Sequence, residues 1–336
     1  MTAAAYSGNP QDRPLSYSTP EVIMSSPQIL DLQINQIQMK LLHTYSTSTC
    51  YTLARTIPVQ TVWRVNVPQI AFSSDYVMHT VLALAALHVA YCQPEHKQTY
   101  INYALQLHEA ALRKATLVLP NLTDDNCVEL YTFAAVSCFV QYAKPRPDGP
   151  PLIAGDDEQS DFMMISRGTR TILDCVKDRE VLQSSIVGPL FSLGIRRRSA
   201  RDAMPRKTHN SLAALRLLIT ESISDPTAID IYTSAIEELE RAIPHDMSME
   251  KTGWEVSDIL HWLYLVSDEY VDLLSQRTPQ AMIIFGYFCA FLKDIESAWW
   301  MKGWSFYLIS RIYYALDEDS RIWLQWPMEQ LGWLPG

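Results

Sequence analysis

Two acidic groupings come nearest to chemistry in this 336-residue sequence. Asp124-Asp125 is followed by Glu129, and Asp268-Glu269 by Asp272. Carboxylates one turn apart on facing helices can hold magnesium against a diphosphate, the arrangement a terpenoid cyclase needs. Each grouping also has a simpler use. The first opens a helix, where acids offset the dipole. The second rides on an amphipathic helix whose other face is Trp262, Leu265, Val266 and Leu273. No Asn/Ser/Glu triad at four-residue spacing supplies a second metal site. Surface and capping roles are therefore expected for both.

Other reactive patterns stop short. His108-Glu109 begins a zinc-protease motif, but position 112 is leucine where the second histidine belongs. The six cysteines (Cys50, Cys92, Cys127, Cys138, Cys175 and Cys289) form no CxxC pair, so a structural zinc cluster is not supported. Cys127 and Cys138 stand three helical turns apart and read as core packing. GxSxG, GxxxxGK and GxGxxG are absent. We expect no catalytic residue, no metal and no cofactor.

Charge narrows the partners. A net charge of −10 makes the average surface a poor match for a phosphate backbone. The exception is IRRRSARDAMPRK, where Arg196, Arg197, Arg198, Arg201, Arg206 and Lys207 face one acid, Asp202. Such a run serves as a nuclear import signal, as a nucleic-acid patch, or simply as a solvated loop between helices.

What remains is apolar volume. Six of the nine tryptophans fall between Trp299 and Trp333. Rings this dense near a terminus belong to a helix pair docked on the body of the protein, either filling the core or closing a cavity. Met282, Ile283, Phe285, Tyr287, Phe288 and Phe291 cover more than one side of their helix. A cavity between helices is a common home for an apolar ligand. The expected pocket walls are Phe285, Phe288, Trp300, Trp304 and Leu308, with Arg311 or an indole N–H anchoring one polar group.

The elements that would position these groups are helices. Glycine is scarce (11 residues), hydrophobic residues make up 48%, and alanine and leucine run between prolines. Residues 1–26 lack periodicity and are expected to be disordered, with one compact all-α domain of roughly ten helices over 27–336. Leu30, Ile34, Ile37, Leu41 and Tyr45 mark the first amphipathic face, and Pro58–Pro68 reads as a connection carrying Trp63. Ser74 and Asp75 should cap an all-round apolar helix ending near Cys92, too short to span a bilayer comfortably. A helix over Lys97–Leu117 and one capped by Thr123 follow. Beyond the loop KPRPDGPPLIAGDDEQS come DFMMISRGTRTILDCV, then helices over Ser211–Ser222, Thr227–Ile243, Glu255–Ser275, Pro279–Ser297 and Ser305–Asp317. The first residues carry no apolar stretch of a secretory signal, so a reduced, intracellular setting is expected.

Several of these pieces, in order, carry a resemblance: LLHTYSTSTCYTL, IAFSSDYVMHTVLALAALHVAY, YINYALQLHEAAL, Ser166-Arg167-Gly168 within MMISRGTRTIL, WWMKGW and WLQWPMEQLGW. Together, over about Leu30–Trp333, they resemble the C-terminal regulatory domain of fungal zinc-cluster transcription factors, in particular the sterol uptake control regulators. The resemblance implies an all-helical, often dimeric module in which a sterol fills a hydrophobic pocket and holds the regulator inactive outside the nucleus. It also implies a separate six-cysteine DNA-reading cluster, yet the first 26 residues hold no cysteine. The expectation is a transcriptional regulator or co-regulator without its own zinc cluster. It would sense a sterol-like ligand, control sterol or secondary-metabolite genes, and act in the nucleus or shuttle with the cytoplasm. It would pair with itself or a partner factor and make no direct DNA contact. Two alternatives stay open: an enzyme that cyclises a terpenoid or polyketide in the same cavity, and a dimerisation partner without a ligand.

Overall fold

Four alanines between Ser74 and Gln93 (Ala83, Ala85, Ala86, Ala90) leave room for neighbouring backbones, and the fold is built around the helix that carries them. The computed structural model describes residues 35–146, 170, 179–190, 199, 209–243 and 255–336, and Gln36–Gly336 form one compact unit. The longer helices in the first half are α1 (Gln36–Thr47), α2 (Val67–Ser73), α3 (Asp75–Cys92), α4 (Lys97–Val118) and α5 (Cys127–Ala143). In the second half they are α6 (Asn210–Ser222), α7 (Pro226–Ala242), α8 (Asp268–Ser275), α9 (Pro279–Leu292), α10 (Trp304–Ala315) and α11 (Gln325–Leu331). The all-α expectation holds: the described residues contain no strand.

Two helices are apolar all round and form the axes of the two halves. In α3, Tyr76, Val77 and Thr80 through Ala90 are buried, with α1, α2, α4 and α5 packed around them. By length and composition α3 could cross a bilayer, but 72% of it is buried inside the fold, the placement of a core helix. In α9 every residue from Ala281 to Leu292 is buried, against α7, α8, α10 and α11. Gly286 permits the close approach on one side. A Cβ there would stand 2.7 Å from the Leu324 side chain and 3.5 Å from Ile309. The stripe of α4 is as expected, with Tyr100, Ala104, Leu107, Ala111 and Ala115 buried.

Four local expectations need correction. Pro58–Pro68 is helical rather than a connection: Ile57–Thr61 runs into a π turn, Val62–Asn66, and then α2. Pro58 and Pro68 each lie in a first turn, where the missing N–H is tolerated, and the wide π turn absorbs the second. Glu255–Ser275 is three helices, Val256–Leu260, Trp262–Leu265 and α8. The chain is extended at Val266 and Ser267, and the Ser267 hydroxyl accepts the Tyr270 N–H at 3.2 Å as a new cap. Ser74 holds the N-cap position of α3 but its side chain makes no capping bond. Thr123 does not cap α5, which starts at Cys127. Asn126 organises that turn, accepting from the Thr123 N–H at 2.8 Å and donating to the Asn121 carbonyl at 2.9 Å. By contrast, Asp225 caps α7 as expected, accepting from Thr227 N at 3.0 Å.

Segment 1–26, most of the loop after Lys144, the DFMMISRGTRTILDCV stretch apart from Arg170, and Arg196, Arg197, Arg198 and Arg201 lie outside the described residues.

Candidate functional site

An indole N–H buried without a partner is costly, so four buried or half-buried tryptophans act as long-range fasteners. Trp262 donates to the Ala235 carbonyl at 2.9 Å, tying the end of the broken helix to α7. Trp299 donates to Thr52 Oγ1 at 2.9 Å and Trp300 to the Thr52 carbonyl at 3.2 Å. Trp304 donates to the Tyr142 carbonyl at 2.9 Å. The tryptophan-rich segment is thereby fixed to the N-terminal half, as its ring density leads one to expect. His88 joins the same cluster, stacked on Trp299 with ring centres 4.8 Å apart and its Nδ1 2.9 Å from Thr49 Oγ1. Desolvation holds its imidazole below the usual histidine range.

The six residues expected to wall a pocket fall into two groups. Phe285 and Phe288 stack on each other and on Trp262, the last pair with centres only 4.6 Å apart, at the middle of the second half. Trp300 and Trp304 lie with Phe139 and Tyr142 at the junction of the two halves. Leu308 and Arg311 sit one and two turns further along α10 than Trp304. Leu308 is buried, and the Arg311 guanidinium lies 4.7 Å over Tyr307. The other face of the junction is closed by Arg146. Its guanidinium stacks 4.9 Å over Trp304 and donates to the Lys302 carbonyl at 2.7 Å.

A second long-range fastening was not apparent from sequence. Glu255, only 2% exposed, accepts from the backbone N–H groups of Arg55 and Thr56 at 2.8 and 2.7 Å and from the Thr56 hydroxyl at 2.5 Å. A carboxylate 200 positions away thus caps the helix at Ile57–Thr61. The only signal was a lone acid ahead of an apolar run, which local reading takes for an N-cap of its own helix.

The acidic groupings lie mostly at the surface, with Asp268 and Glu269 in the first turn of α8 and Glu129 in that of α5. Asp124 and Asp125 are exposed in the turn before α5, Glu129 accepts from the Tyr76 hydroxyl at 3.2 Å, and Asp268, Glu269 and Asp272 are exposed on α8. Among the described residues no three His, Cys, Asp or Glu side chains converge as metal ligands. His108 is buried, with Nε2 3.3 Å from Ser137 Oγ and Nδ1 without a partner. Burial, with a smaller push from Lys144, takes its imidazole down to about 3.

Beyond Arg311 the same helix reaches a cleft of about 750 Å³ between the end of α10, the Glu318–Leu324 turns and α11. Its apolar walls are Tyr313, Ile322, Met328, Trp333 and Leu334. Glu318, Arg321, Gln325 and Glu329 supply the polar groups, and none of the six expected pocket residues lines it. Gly332 ends α11 with φ +70°, a left-handed turn that sends the Trp333 N–H back to the Met328 carbonyl at 3.0 Å. That turn lays Trp333 edge-on to Tyr313, ring centres 5.4 Å apart. Arg321 covers the Tyr313 ring at 4.8 Å while its Nε donates to the Tyr313 carbonyl at 2.9 Å. Gly332 near the end of a helix, with the Asp317-Glu318-Asp319 run before an apolar stretch, was the signal available for this cleft.

No family model matches the chain. Two curated proteins are similar to it over most of its length. One is a "Zn(2)-C6 fungal-type transcription factor" of Gibberella zeae, 24% identical over 93% of this chain. Another is the "Zn(2)-C6 fungal-type transcription factor afumD" of Aspergillus fumigatus, 21% identical over 74% of this chain. The chain spans 65% of the length of each of these relatives. Both are named as transcription factors, so they give the cyclase alternative no support. Along nearly all of its described helices, the chain is similar to fungal transcription factors of the Zn(2)-C6 type.

Proposed function

We propose that this chain is the helical regulatory region of a fungal transcriptional regulator, working in the nucleus and coupled to a DNA-reading module, its own or a partner's. The observation that carries the reading is the extent of the similarity, which covers 93% of the chain and therefore includes the all-helical body itself. In this reading the domain controls sterol or secondary-metabolite genes in response to an apolar, sterol-like ligand, and it acts as a homodimer or beside a partner factor. The basic run at Arg196, Arg197, Arg198 and Arg201 serves import.

The ligand has two places to act. The first is the set Phe285, Phe288, Trp300, Trp304, Leu308 and Arg311, where a guest must part rings that now touch each other. The second is the cleft beside Tyr313 and Trp333, which stands open. This cleft already stands open and needs no repacking, so we place first contact with the ligand there.

The test is a reporter assay with the full chain fused to a heterologous DNA-binding domain in a fungal host. Expression should change when sterol synthesis is blocked. A reporter that stays at the level of the DNA-binding domain alone, with and without the block, rejects the regulatory reading.

A further inference from the structure

We infer that the cleft at the end of α10 takes a lipophilic cation: a protonated amine carried on a rigid apolar body. Its walls offer Tyr313, Ile322, Met328 and Trp333 to an apolar guest. Ile322 is 67% exposed, so covering it removes apolar area from water, at about 25 cal/mol per Å². The mouth selects the charge. Glu318 and Glu329 both line the cleft, and Asp317 and Asp319 flank Glu318 in the chain. Arg321 is the only base among the lining residues, and it is already committed to the ring and the carbonyl of Tyr313. An anionic guest would meet two carboxylates against the single guanidinium of Arg321. An ammonium would be attracted by both. Glu329 is steadied for this role by Gln325, whose Nε2 donates to its Oε1 at 2.8 Å.

This assignment deepens the ligand-sensing reading and rests on it only for its use in the cell. Binding can fail here while the reporter still responds, so the two failures are distinguishable. The experiment titrates the full chain with three probes that share one fused-ring body: 1-pyrenemethylammonium, 1-pyrenemethanol and 1-pyrenecarboxylate. The cation should bind saturably with one site, about tenfold more tightly than the alcohol, and the carboxylate more weakly than either. The double variant Glu318→Gln/Glu329→Gln should bring cation and alcohol to equal affinity while the far-ultraviolet circular dichroism stays helical. Trp333→Ala should weaken all three probes. Absence of saturable cation binding, equal binding of the three probes, or a cation preference that survives both glutamine substitutions would each overturn the proposal.

Discussion

The tryptophan-rich segment has two ends with opposite fates. Trp299, Trp300 and Trp304 each donate an indole N–H across more than 150 residues of sequence to Thr52 or Tyr142. Trp323, Trp326 and Trp333, a few turns later, make no indole hydrogen bond among the described residues and remain partly open to water. Trp326 packs against the core and stacks on Tyr287 at 5.0 Å. The same residue type thus serves as a fastener where its N–H reaches a distant acceptor and, at Trp333, as a cleft wall where it does not. Ring density alone does not separate these uses; the partner of the N–H does.

The comparison breaks most directly by truncating one ring at each end. Trp304→Ala should cost about 3–5 kcal/mol, the usual range for a large core ring, because it also strips Arg146 of its stacking surface and leaves the Tyr142 carbonyl unpaired. Trp333→Ala should cost less, about 1–2 kcal/mol, since that ring is only partly buried and its loss orphans no distant carbonyl. Urea unfolding of the two variants settles it. Equal losses would mean that the two ends do not differ as described.

Next in size is the second fastening of the same N-terminal segment. Trp300 holds Thr52, and Glu255 holds Arg55 and Thr56. Glu255→Ala should destabilise by about 3 kcal/mol, as removing a buried charged acceptor orphans two backbone donors. Glu255→Gln keeps one acceptor and should recover part of this. A loss below about 1 kcal/mol in thermal unfolding would show that the segment is held by its tryptophans alone.

How much of this was legible follows from the range of the interactions. The apolar helices α3 and α9 were plain in the sequence because an all-round hydrophobic run has only one place to go. The stripe Tyr100, Ala104, Leu107, Ala111, Ala115 was legible because spacing of three and four fixes a face. The break at Val266–Ser267 was not, because Trp262, Leu265 and Leu273 keep helical spacing across it. What decides it is the tertiary pull of Trp262 toward Ala235 and the capping of α8 by Ser267. Pro58 and Pro68 misled for the converse reason: proline stops a helix that must continue straight, yet starts one readily. Of the candidate site, sequence located the segment but not which rings would be sealed. Sealing depends on Thr52, Tyr142 and Arg146, all distant in the chain.

The N-terminal half carries the fold's clearest pH liability, at His108 on α4. Folded, His108 takes a proton only near pH 3; unfolded, it does so near 6.5. Between these values the unfolded chain binds more protons, so stability must fall as pH is lowered through 6.5. The loss approaches about 1.4 kcal/mol per pH unit from this group until its folded value is reached. Desolvation also holds His79 and His88 below the usual range, and they add to the slope with the same sign. His108→Leu should flatten the fall in melting temperature between pH 7 and 5 without abolishing it. An unchanged pH profile would show that His108 is reached by water in the native state.

The smallest contrast lies in two glycines, one at each end. Gly303 precedes α10 with φ +76°, and Gly332 follows α11 with φ +70°. An added methyl is strained equally at both, by about 1 kcal/mol. Their surroundings differ. At Gly332 a Cβ would meet nothing within 4 Å, whereas at Gly303 it would lie 3.0 Å from Arg146 Nη2, the guanidinium that closes the junction over Trp304. Gly332→Ala should therefore cost only the backbone strain. Gly303→Ala should cost a few tenths of a kcal/mol more, by pushing Arg146 off its ring. Tryptophan fluorescence should report the difference independently of stability, shifting when Arg146 moves in Gly303→Ala. If the two variants match in both measurements, Arg146 is a mobile cover and the junction is less closed than its stacking distance implies.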